Sequence, residues 1–296
     1  GIKVVRLTGG EPLVLKSIDV FLRRAKDLGF AVIVNTNGTA LPEKRLHALK
    51  GLVDFVKISL PAADEETMTR LTGNKTTWRR KWEALENLEK FGIRTDILTV
   101  MTAENIQQFD SFIRLLEPHP SICWRPLRAE TQDGDRQPVS RDDIQDLATK
   151  LSAARSQERW KYLSLGLATP FCALENPSDA VELFGGGRSC GPVESLTVTC
   201  QGELIRCYSR RDGIDMSKGL RKTNLELSLQ DFEQLPAVCR NCPFVPLCRG
   251  GCRCDWSLVE TPFGSMDYLA DPTHIDGADA FIVGDRPSVP AYAPAA

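Results

Sequence analysis

The sequence Cys239-Arg-Asn-Cys242-Pro-Phe-Val-Pro-Leu-Cys248-Arg-Gly-Gly-Cys252-Arg-Cys254 holds five of the ten cysteines of the chain. Thiolates at this density either pair as disulfides or bind metal. The 296-residue chain is far longer than a small disulfide-stapled scaffold, and its first hundred residues have the pattern of an intracellular α/β enzyme. Metal binding is therefore the default interpretation of this stretch.

Two kinds of metal group fit such a stretch. A closed tetrahedral zinc site needs only one set of four thiolates, and it would leave three upstream cysteines without a role. Those three are Cys172, Cys190 and Cys207. An iron–sulfur cluster explains more of the cysteines, and Gly250 and Gly251 fit a backbone that turns tightly beside a bulky inorganic group.

Composition limits what the metal can serve. The chain is 42% apolar and 26% charged, which is enough for one large domain and a smaller one. Its apolar runs are far shorter than the roughly twenty residues of a membrane span. The net charge of -2 gives no electrostatic case for nucleic acid as the main partner. We expect a cytoplasmic protein that binds neither membrane nor nucleic acid.

The first 127 residues repeat one unit, a β-branched run followed by a turn and an amphipathic helix. This alternation predicts parallel strands in a barrel or an open sheet, with the chemistry at the carboxyl ends of the strands. The helix stripe that follows the first strand is predicted to comprise Ile18, Phe21, Leu22 and Ala25. The predicted strands are Ile2–Leu7, Phe30–Asn35, Val53–Leu60, Arg94–Met101 and Ser121–Leu127.

The turns after the first three strands carry polar residues. Gly9 and Gly10 allow a ligand to approach the backbone, and the carboxylate of Glu11 suits an ammonium group. A simple Gly-Gly turn with a solvent-facing Glu11 before a helix that starts with proline is the alternative. Asn37 and Ser59 follow the next two strands, where each has an ordinary structural interpretation as well.

These residues resemble the radical S-adenosylmethionine (SAM) enzymes, specifically the branch with a C-terminal SPASM domain. The resemblance implies an α/β fold, a partial (β/α)6 TIM-like barrel followed by a small Cys-rich iron–sulfur domain. It implies SAM as cofactor, with Gly9, Gly10, Glu11 and Pro12 at its amino group, and Asn37 and Ser59 nearby. The family usually continues its serine with Leu-Asp-Gly, whereas Leu60-Pro61-Ala62 stands here.

The SPASM spacing also matches the cysteines. Cys190, Gly202 and Cys207 fit its first part, with a hairpin expected around Gly202, and the Cys-x2-Cys-x5-Cys-x3-Cys run from Cys239 to Cys252 fits its second. The resemblance implies two auxiliary [4Fe-4S] clusters. Its crossed pairing assigns one cluster to Cys172, Cys190, Cys207 and Cys252, and the other to Cys239, Cys242, Cys248 and a fourth ligand.

The fourth ligand stays open at this stage. The family's last cysteine falls in a segment that here reads Ala270-Asp271-Pro272-Thr273-His274, so we hypothesise that His274 replaces it. Cys254, Asp255 or solvent are the alternatives. Cys172 lies outside the motif, and Cys200 competes with it for the other cluster.

The Cys-x3-Cys-x2-Cys loop that binds the SAM-cleaving cluster in this family is absent from the sequence. We therefore expect a fragment of a longer enzyme, or a degenerate member, and the chain as printed should not cleave SAM. A third [4Fe-4S] cluster would belong to the missing part. The predicted domains are 1–127 (partial barrel), 128–171 (linker and bridging helix), 172–284 (SPASM domain) and 285–296 (flexible tail).

By resemblance, the intact enzyme would abstract a hydrogen atom with a 5′-deoxyadenosyl radical. It would thereby modify a peptide or protein side chain, as in the maturation of ribosomally made peptides. An external electron donor such as flavodoxin or ferredoxin would serve it. The alternatives are a radical SAM dehydrogenase of a carbohydrate or small alcohol, and a non-catalytic metal-bound interaction module. No catalytic acid or base can be identified from the sequence.

Overall fold

A computed structural model describes residues 2–129, 139–166, 169–184, 196–207, 213–252, 259–261 and 264–275. The chain divides into two compact units. The first, the sheet unit, comprises residues 1–127 and 153–163, and the second, the cysteine unit, comprises residues 128–152 and 164–296. The domain boundaries predicted above stay predictions, and the predicted tail at 285–296 lies outside the described residues.

The sheet unit is built on a parallel sheet with the strand order β1-β2-β3-β4-β5. The predicted α/β alternation is therefore confirmed. The strands are β1 (Val4–Leu7), β2 (Ala31–Thr36), β3 (Phe55–Ser59), β4 (Arg94–Met101) and β5 (Ile122–Arg128). The helices are α1 (Ile18–Asp27), α2 (Glu43–Leu49), α3 (Glu65–Thr72), α4 (Thr77–Lys90) and α5 (Phe109–Leu116).

The helix stripes explain how the sheet unit builds its core. On α1, Ile18, Leu22 and Ala25 are buried as expected, but Phe21 is 47% exposed. Its place in the predicted stripe was wrong, because at about 100° per residue it lies some 60° around the helix from Ile18, at the margin of the buried face. On α4, the buried stripe includes Leu85 and, unusually, a lysine.

The cysteine unit contains shorter elements. Helix α6 (Arg141–Arg155) begins with a capping arrangement, in which Ser140 Oγ accepts from the backbone N–H of Asp143 at 3.1 Å and the Asp143 carboxylate accepts from the Ser140 N–H at 2.9 Å. The other helices are α7 (Ala180–Leu183), α8 (Leu220–Glu233), α9 (Ala237–Arg240) and α10 (Val245–Cys248).

The strands of the cysteine unit form two antiparallel pairs. These are β6 (Thr197–Val198) with β7 (Leu204–Ile205), and β8 (Val259–Thr261) with β9 (Gly264–Met266). The hairpin predicted around Gly202 is thus confirmed, and Gly202 has a φ of 83° that favours glycine at this turn. Among the described residues, no helix combines the length and apolar character that crossing a membrane requires.

Candidate functional site

The carboxylate of Glu11 joins the turn after β1 to the turn after β2. Its Oε1 accepts a hydrogen bond from Thr36 Oγ1 at 2.8 Å, and its Oε2 accepts one from the backbone N–H of Asn37 at 2.7 Å. Oε1 also accepts from the Leu13 N–H at 3.1 Å, which caps the short 3-10 helix Pro12–Val14. Parallel strands bring their carboxyl ends to one edge, so Glu11 is fixed where the sequence predicted a ligand.

The turn after β2 is shaped by its own side chains. Asn37 Oδ1 accepts from the Thr39 N–H at 2.8 Å and from Thr39 Oγ1 at 2.6 Å. Gly38 has a φ of +81°, and a Cβ built there would come within 3.3 Å of Ile58 on β3. Glycine is favoured at this position because a side chain would meet backbone strain and a tight contact with Ile58.

A buried lysine, which the sequence analysis missed, ties two of the predicted SAM-site positions together. Lys81 on α4 is 2% exposed, and its Nζ donates to the carbonyl oxygens of Asn37 and Ser59, the latter at 2.6 Å. Burial lowers the pKa of Lys81 to about 8, although the negative charge of Glu11 acts in the opposite direction. The sequence contains a signal for this lysine, because Lys81 stands in an apolar helical stripe, four residues before Leu85.

A polar row crosses the middle of the sheet. Asn35 on β2 pairs in register with Lys57 on β3, which pairs with Asp96 on β4. Arg125 Nε donates to the buried carboxylate of Asp96. Burial lowers the pKa of Lys57, and the positive charge of Arg6 adds to that effect. Charged side chains in such a row can hold polar groups of a substrate, and no sequence motif marks them.

Four cysteines of the cysteine unit line one cavity. They come from three short segments: Cys172 from the 3-10 helix Phe171–Ala173, Cys239 and Cys242 from α9 and the turn after it, and Cys248 from the end of α10. The remainder of the lining is mostly apolar. It comprises Pro170, Phe171, Phe244, Val245, Gly250, Met266, Ala270 and Ile275.

The four thiols share a buried environment with directed N–H groups. Each of the four residues is at most 9% exposed. Burial raises the pKa of all four thiols, and that of Cys248 reaches about 11. The backbone N–H of Phe171 donates to Cys248 Sγ and that of Phe244 to Cys242 Sγ, both at 3.4 Å. Such N–H donors stabilise sulfur that is deprotonated by a bound metal group.

The other predicted ligands occupy different places. Cys207 is half-buried, and Cys252 is buried with its backbone N–H bonded to Asp267 Oδ2 at 2.7 Å. Neither is among the described residues that line the four-cysteine cavity. Cys200 is exposed. Cys190, Cys254 and Asp255 lie outside the described residues.

The ring of His274 contacts the backbone of one of the four cysteines, Cys172. Its Nδ1 lies 3.0 Å from the carbonyl oxygen of Cys172, to which it can donate in the matching tautomer. The structure therefore groups Cys172 with Cys239, Cys242 and Cys248, whereas the resemblance assigned it to the other cluster. Whether His274 is a ligand stays a prediction.

A left-handed turn follows Cys248. Arg249, Gly250 and Gly251 have φ values of 54°, 78° and 80° in succession. A Cβ on Gly251 would lie 2.6 Å from Asp267 Oδ2, so the carboxylate occupies the space that a side chain would need. Asp267 forms an ion pair with Arg128 in which both side chains are fully buried. Of the two glycines, Gly250 lines the four-cysteine cavity, whereas the immediate neighbour of Gly251 is this carboxylate.

The four cysteines that line the cavity can be compared with the needs of the two kinds of metal group. Across the part of the chain that the structure describes, no three His, Cys, Asp or Glu side chains gather closely enough to hold one metal ion. A closed zinc site needs four ligands about 2.0 to 2.3 Å from one point. An iron–sulfur cluster is larger and spreads its thiolates around itself, so four cysteines that line a cavity fit it better.

Comparison with known proteins shows a family match in the first part of the chain. Residues 1–116 match the family model of the radical SAM superfamily. A solved structure of anSMEcpe with bound AdoMet and Kp18Cys peptide is 17% identical, with a TM-score of 0.65 over 90% of this chain and 80% of that one.

SuiB of Streptococcus suis gives similar values. Bound to S-adenosylmethionine, it is 17% identical with a TM-score of 0.66, over 90% of this chain and 66% of that one. Bound to the precursor peptide SuiA, it is 15% identical with the same TM-score, over 90% and 65%. At these identities the likeness establishes a shared fold. The match of residues 1–116 to the radical SAM superfamily model agrees with the resemblance seen in the sequence.

Proposed function

We propose that the protein is a radical SAM enzyme of the SPASM branch that modifies a peptide or protein side chain. The observation that carries the proposal is the extent of the fold likeness, about 90% of this chain, to two enzymes solved with peptides bound. A likeness confined to residues 1–116 would support radical chemistry alone. Because it extends through the cysteine unit, it also supports the predicted class of substrate.

The turn after β1 is proposed to bind SAM. The carboxylate of Glu11 is already held by Thr36 and Asn37, so it can accept from an ammonium group without first being ordered. A Cβ on Gly9 or Gly10 would meet no atom within 4 Å, so the space beside the turn is open to a ligand. Pro12 begins the 3-10 helix that keeps Glu11 in place.

Asn37 and Ser59 are proposed to contact the rest of SAM, with Lys81 fixing both through their carbonyl oxygens. When bound, SAM with a reduced [4Fe-4S] cluster would supply hydrogen-atom abstraction, and the auxiliary clusters would supply electron transfer. The chain itself binds and orients. Its polar row of Asn35, Lys57, Asp96 and Arg125 is proposed to hold polar groups of the substrate.

The cysteine unit is proposed to carry the two auxiliary [4Fe-4S] clusters. Its donor set fits: four buried thiols face one cavity, the cavity is mostly apolar, and backbone N–H groups donate to two of the sulfurs. Cys190, Cys207 and Cys252 are proposed for the second cluster. Cysteines that stay reduced are typical of the cytoplasm, so we propose that the protein is cytoplasmic. Flavodoxin or ferredoxin would supply its electrons there.

The test uses the full-length gene product, reconstituted anaerobically with iron and sulfide. It is incubated with SAM, a reductant and a peptide encoded beside its gene. We expect 5′-deoxyadenosine together with a mass change in the peptide. Formation of 5′-deoxyadenosine only with a sugar or small alcohol would contradict the proposed substrate class, and protein with about one zinc and no sulfide would favour the interaction module.

A matched pair of variants tests the SAM site. Glu11→Gln removes the charge that would attract the SAM ammonium, whereas Glu86→Gln removes the charge of an exposed glutamate on α4. A hydrogen bond to a charged group contributes about 1.5–3 kcal/mol, so Glu11→Gln should weaken SAM binding about 10- to 100-fold by calorimetry. Equal affinities in the two variants would contradict the assignment.

A further inference from the structure

We infer that Cys172 is the fourth thiolate of the cluster held by Cys239, Cys242 and Cys248, and that His274 positions Cys172 without binding iron. This inference rests on the iron–sulfur chemistry proposed above, and it changes the division of ligands between the two clusters. No cysteine follows Cys254 in the sequence, so the cysteine pattern offers no fourth thiolate for the cluster of Cys239, Cys242 and Cys248. Cys172 would supply it.

The first support is the shared cavity. Cys172 lies 67 residues before Cys239 in the sequence, yet the fold brings both to the same apolar pocket as Cys242 and Cys248. Cys172 and Cys239 also belong to one buried cluster with Leu235, Val238, Met266 and Ala270. Four buried thiols around one pocket, with no other acidic or histidine side chain in its lining, form the donor set of a four-cysteine cluster.

The second support is how the backbone holds Cys172. The N–H of Phe171, the residue before Cys172, donates to Cys248 Sγ at 3.4 Å. The segment that carries Cys172 is therefore bonded to the sulfur of another ligand. Thiolate sulfurs of iron–sulfur clusters commonly accept such N–H groups, which tune the reduction potential.

The third support is the role left to His274. It belongs to the 3-10 helix Pro272–His274, and its ring contacts the carbonyl oxygen of Cys172 at 3.0 Å. His274 itself is not among the residues that line the cavity. This helix therefore holds the backbone of Cys172 through His274, which stands outside the lining of the cavity.

The fourth support is the separation of Cys252 from the four. The left-handed turn at Arg249, Gly250 and Gly251 lies between Cys248 and Cys252. The Cys252 backbone then bonds to the buried carboxylate of Asp267. Cys248 and Cys252, four residues apart, are thereby directed to different places, so the structure leaves Cys252 to the other cluster and Cys172 to this one.

Iron counting in double variants tests the grouping. Each cluster contributes about four iron atoms, so Cys172→Ala, Cys242→Ala and Cys207→Ala should each lose about four per chain after anaerobic reconstitution. A double variant that lacks two ligands of one cluster should lose no more iron than either single variant. We expect Cys172→Ala/Cys242→Ala to lose about four and Cys172→Ala/Cys207→Ala about eight. The reverse pattern, or full iron in Cys172→Ala, would overturn the inference.

Two controls separate the possible failures. Cys123→Ala, which removes an exposed cysteine of the sheet unit, should keep its iron and its circular dichroism spectrum. Wild-type protein that takes up no iron would overturn the proposed function and this inference together. Iron uptake with the reversed pattern would overturn only the inference.

A spectroscopic measurement tests the role of His274 without changing any cysteine. Pulsed EPR of the reduced wild-type protein should show no strongly coupled imidazole nitrogen. His274→Gln, whose amide can donate to the same carbonyl, should keep the iron content and the EPR spectrum. A nitrogen coupling in the wild type that disappears in His274→Gln would show that His274 binds iron and would overturn the inference.

Discussion

Replacing Gly251 by alanine tests the packing that directs Cys252 away from Cys248. The added Cβ would lie 2.6 Å from Asp267 Oδ2 and 2.9 Å from Asp267 Cβ, both too close for stable contact. The φ of +80° is also one that residues with a side chain rarely adopt. The carboxylate of Asp267 must therefore move, although it is bonded to Arg128 and to the Cys252 N–H.

The magnitude follows from these two effects. A left-handed conformation costs an alanine about 1–2 kcal/mol. Breaking one side of a buried ion pair costs about 3–5 kcal/mol, because a charge stays buried without its partner, and both side chains here are fully buried. The sum, about 4–7 kcal/mol, is comparable to the whole stability of a small domain.

Gly202→Ala is the matched control. Gly202 belongs to the same unit and has a similar φ of +83°, but a Cβ there would meet no atom within 4 Å. It should therefore show only the backbone cost of about 1–2 kcal/mol. Any larger loss of stability in Gly251→Ala measures the cost of displacing Asp267.

Hydrogen exchange of peptides from residues 237–252 is the assay, since it reports local opening. We expect Gly251→Ala to lose about three to five powers of ten in protection, and Gly202→Ala about one. The iron content of Gly251→Ala should fall as well. If the two variants exchange alike in these peptides, the argument that Asp267 fixes the turn is wrong.

Three further predictions follow from the contacts in both units. Because the folded pKa of Lys81 is about 8 and the ordinary value 10.5, the unfolded chain holds a proton that the folded chain has lost between those pH values. As pH increases through that window, the free energy of unfolding of the wild type should thus rise by about 3 kcal/mol relative to that of Lys81→Met, as measured by urea titration. The control variant Lys75→Met, changed at an exposed site, should follow the wild type. Asp96→Asn removes the charge that raises the pKa of Lys57, so acetylation of Lys57 at pH 8 should become faster by mass spectrometry; an unchanged rate would refute the coupling. Ser140→Ala should destabilise the start of α6 by about 1 kcal/mol in hydrogen exchange, and equal exchange would contradict the cap.

The parallel sheet could be predicted from the sequence because its signals are local. Alternating apolar residues such as Val32, Val34, Val56 and Ile58 mark the strands with a period of two, and all four are buried. The turn at Glu11 was predicted for the same reason, since glycines and a carboxylate directly after a strand form a local pattern.

The remainder depends on contacts between distant residues. The position of Lys81 against Asn37 depends on how α4 packs. Cys172 and Cys248, 76 residues apart in sequence, line one cavity only because distant segments pack together. Spacing within a motif states which cysteines belong together in the chain, but not which ones the fold brings to one cavity. Phe21 was assigned to the core for a similar reason, because period alone does not fix the width of a buried stripe.

The central claim is that the buried cysteines of this chain hold iron–sulfur clusters. Mössbauer spectroscopy of the anaerobically reconstituted protein, together with chemical determination of iron and sulfide, tests it most directly. The account predicts iron and sulfide in equal amounts with the spectrum of [4Fe-4S] clusters, lost in part in Cys242→Ala. Protein that contains zinc without sulfide, or in which Cys239, Cys242 and Cys248 are found in disulfides, would contradict it.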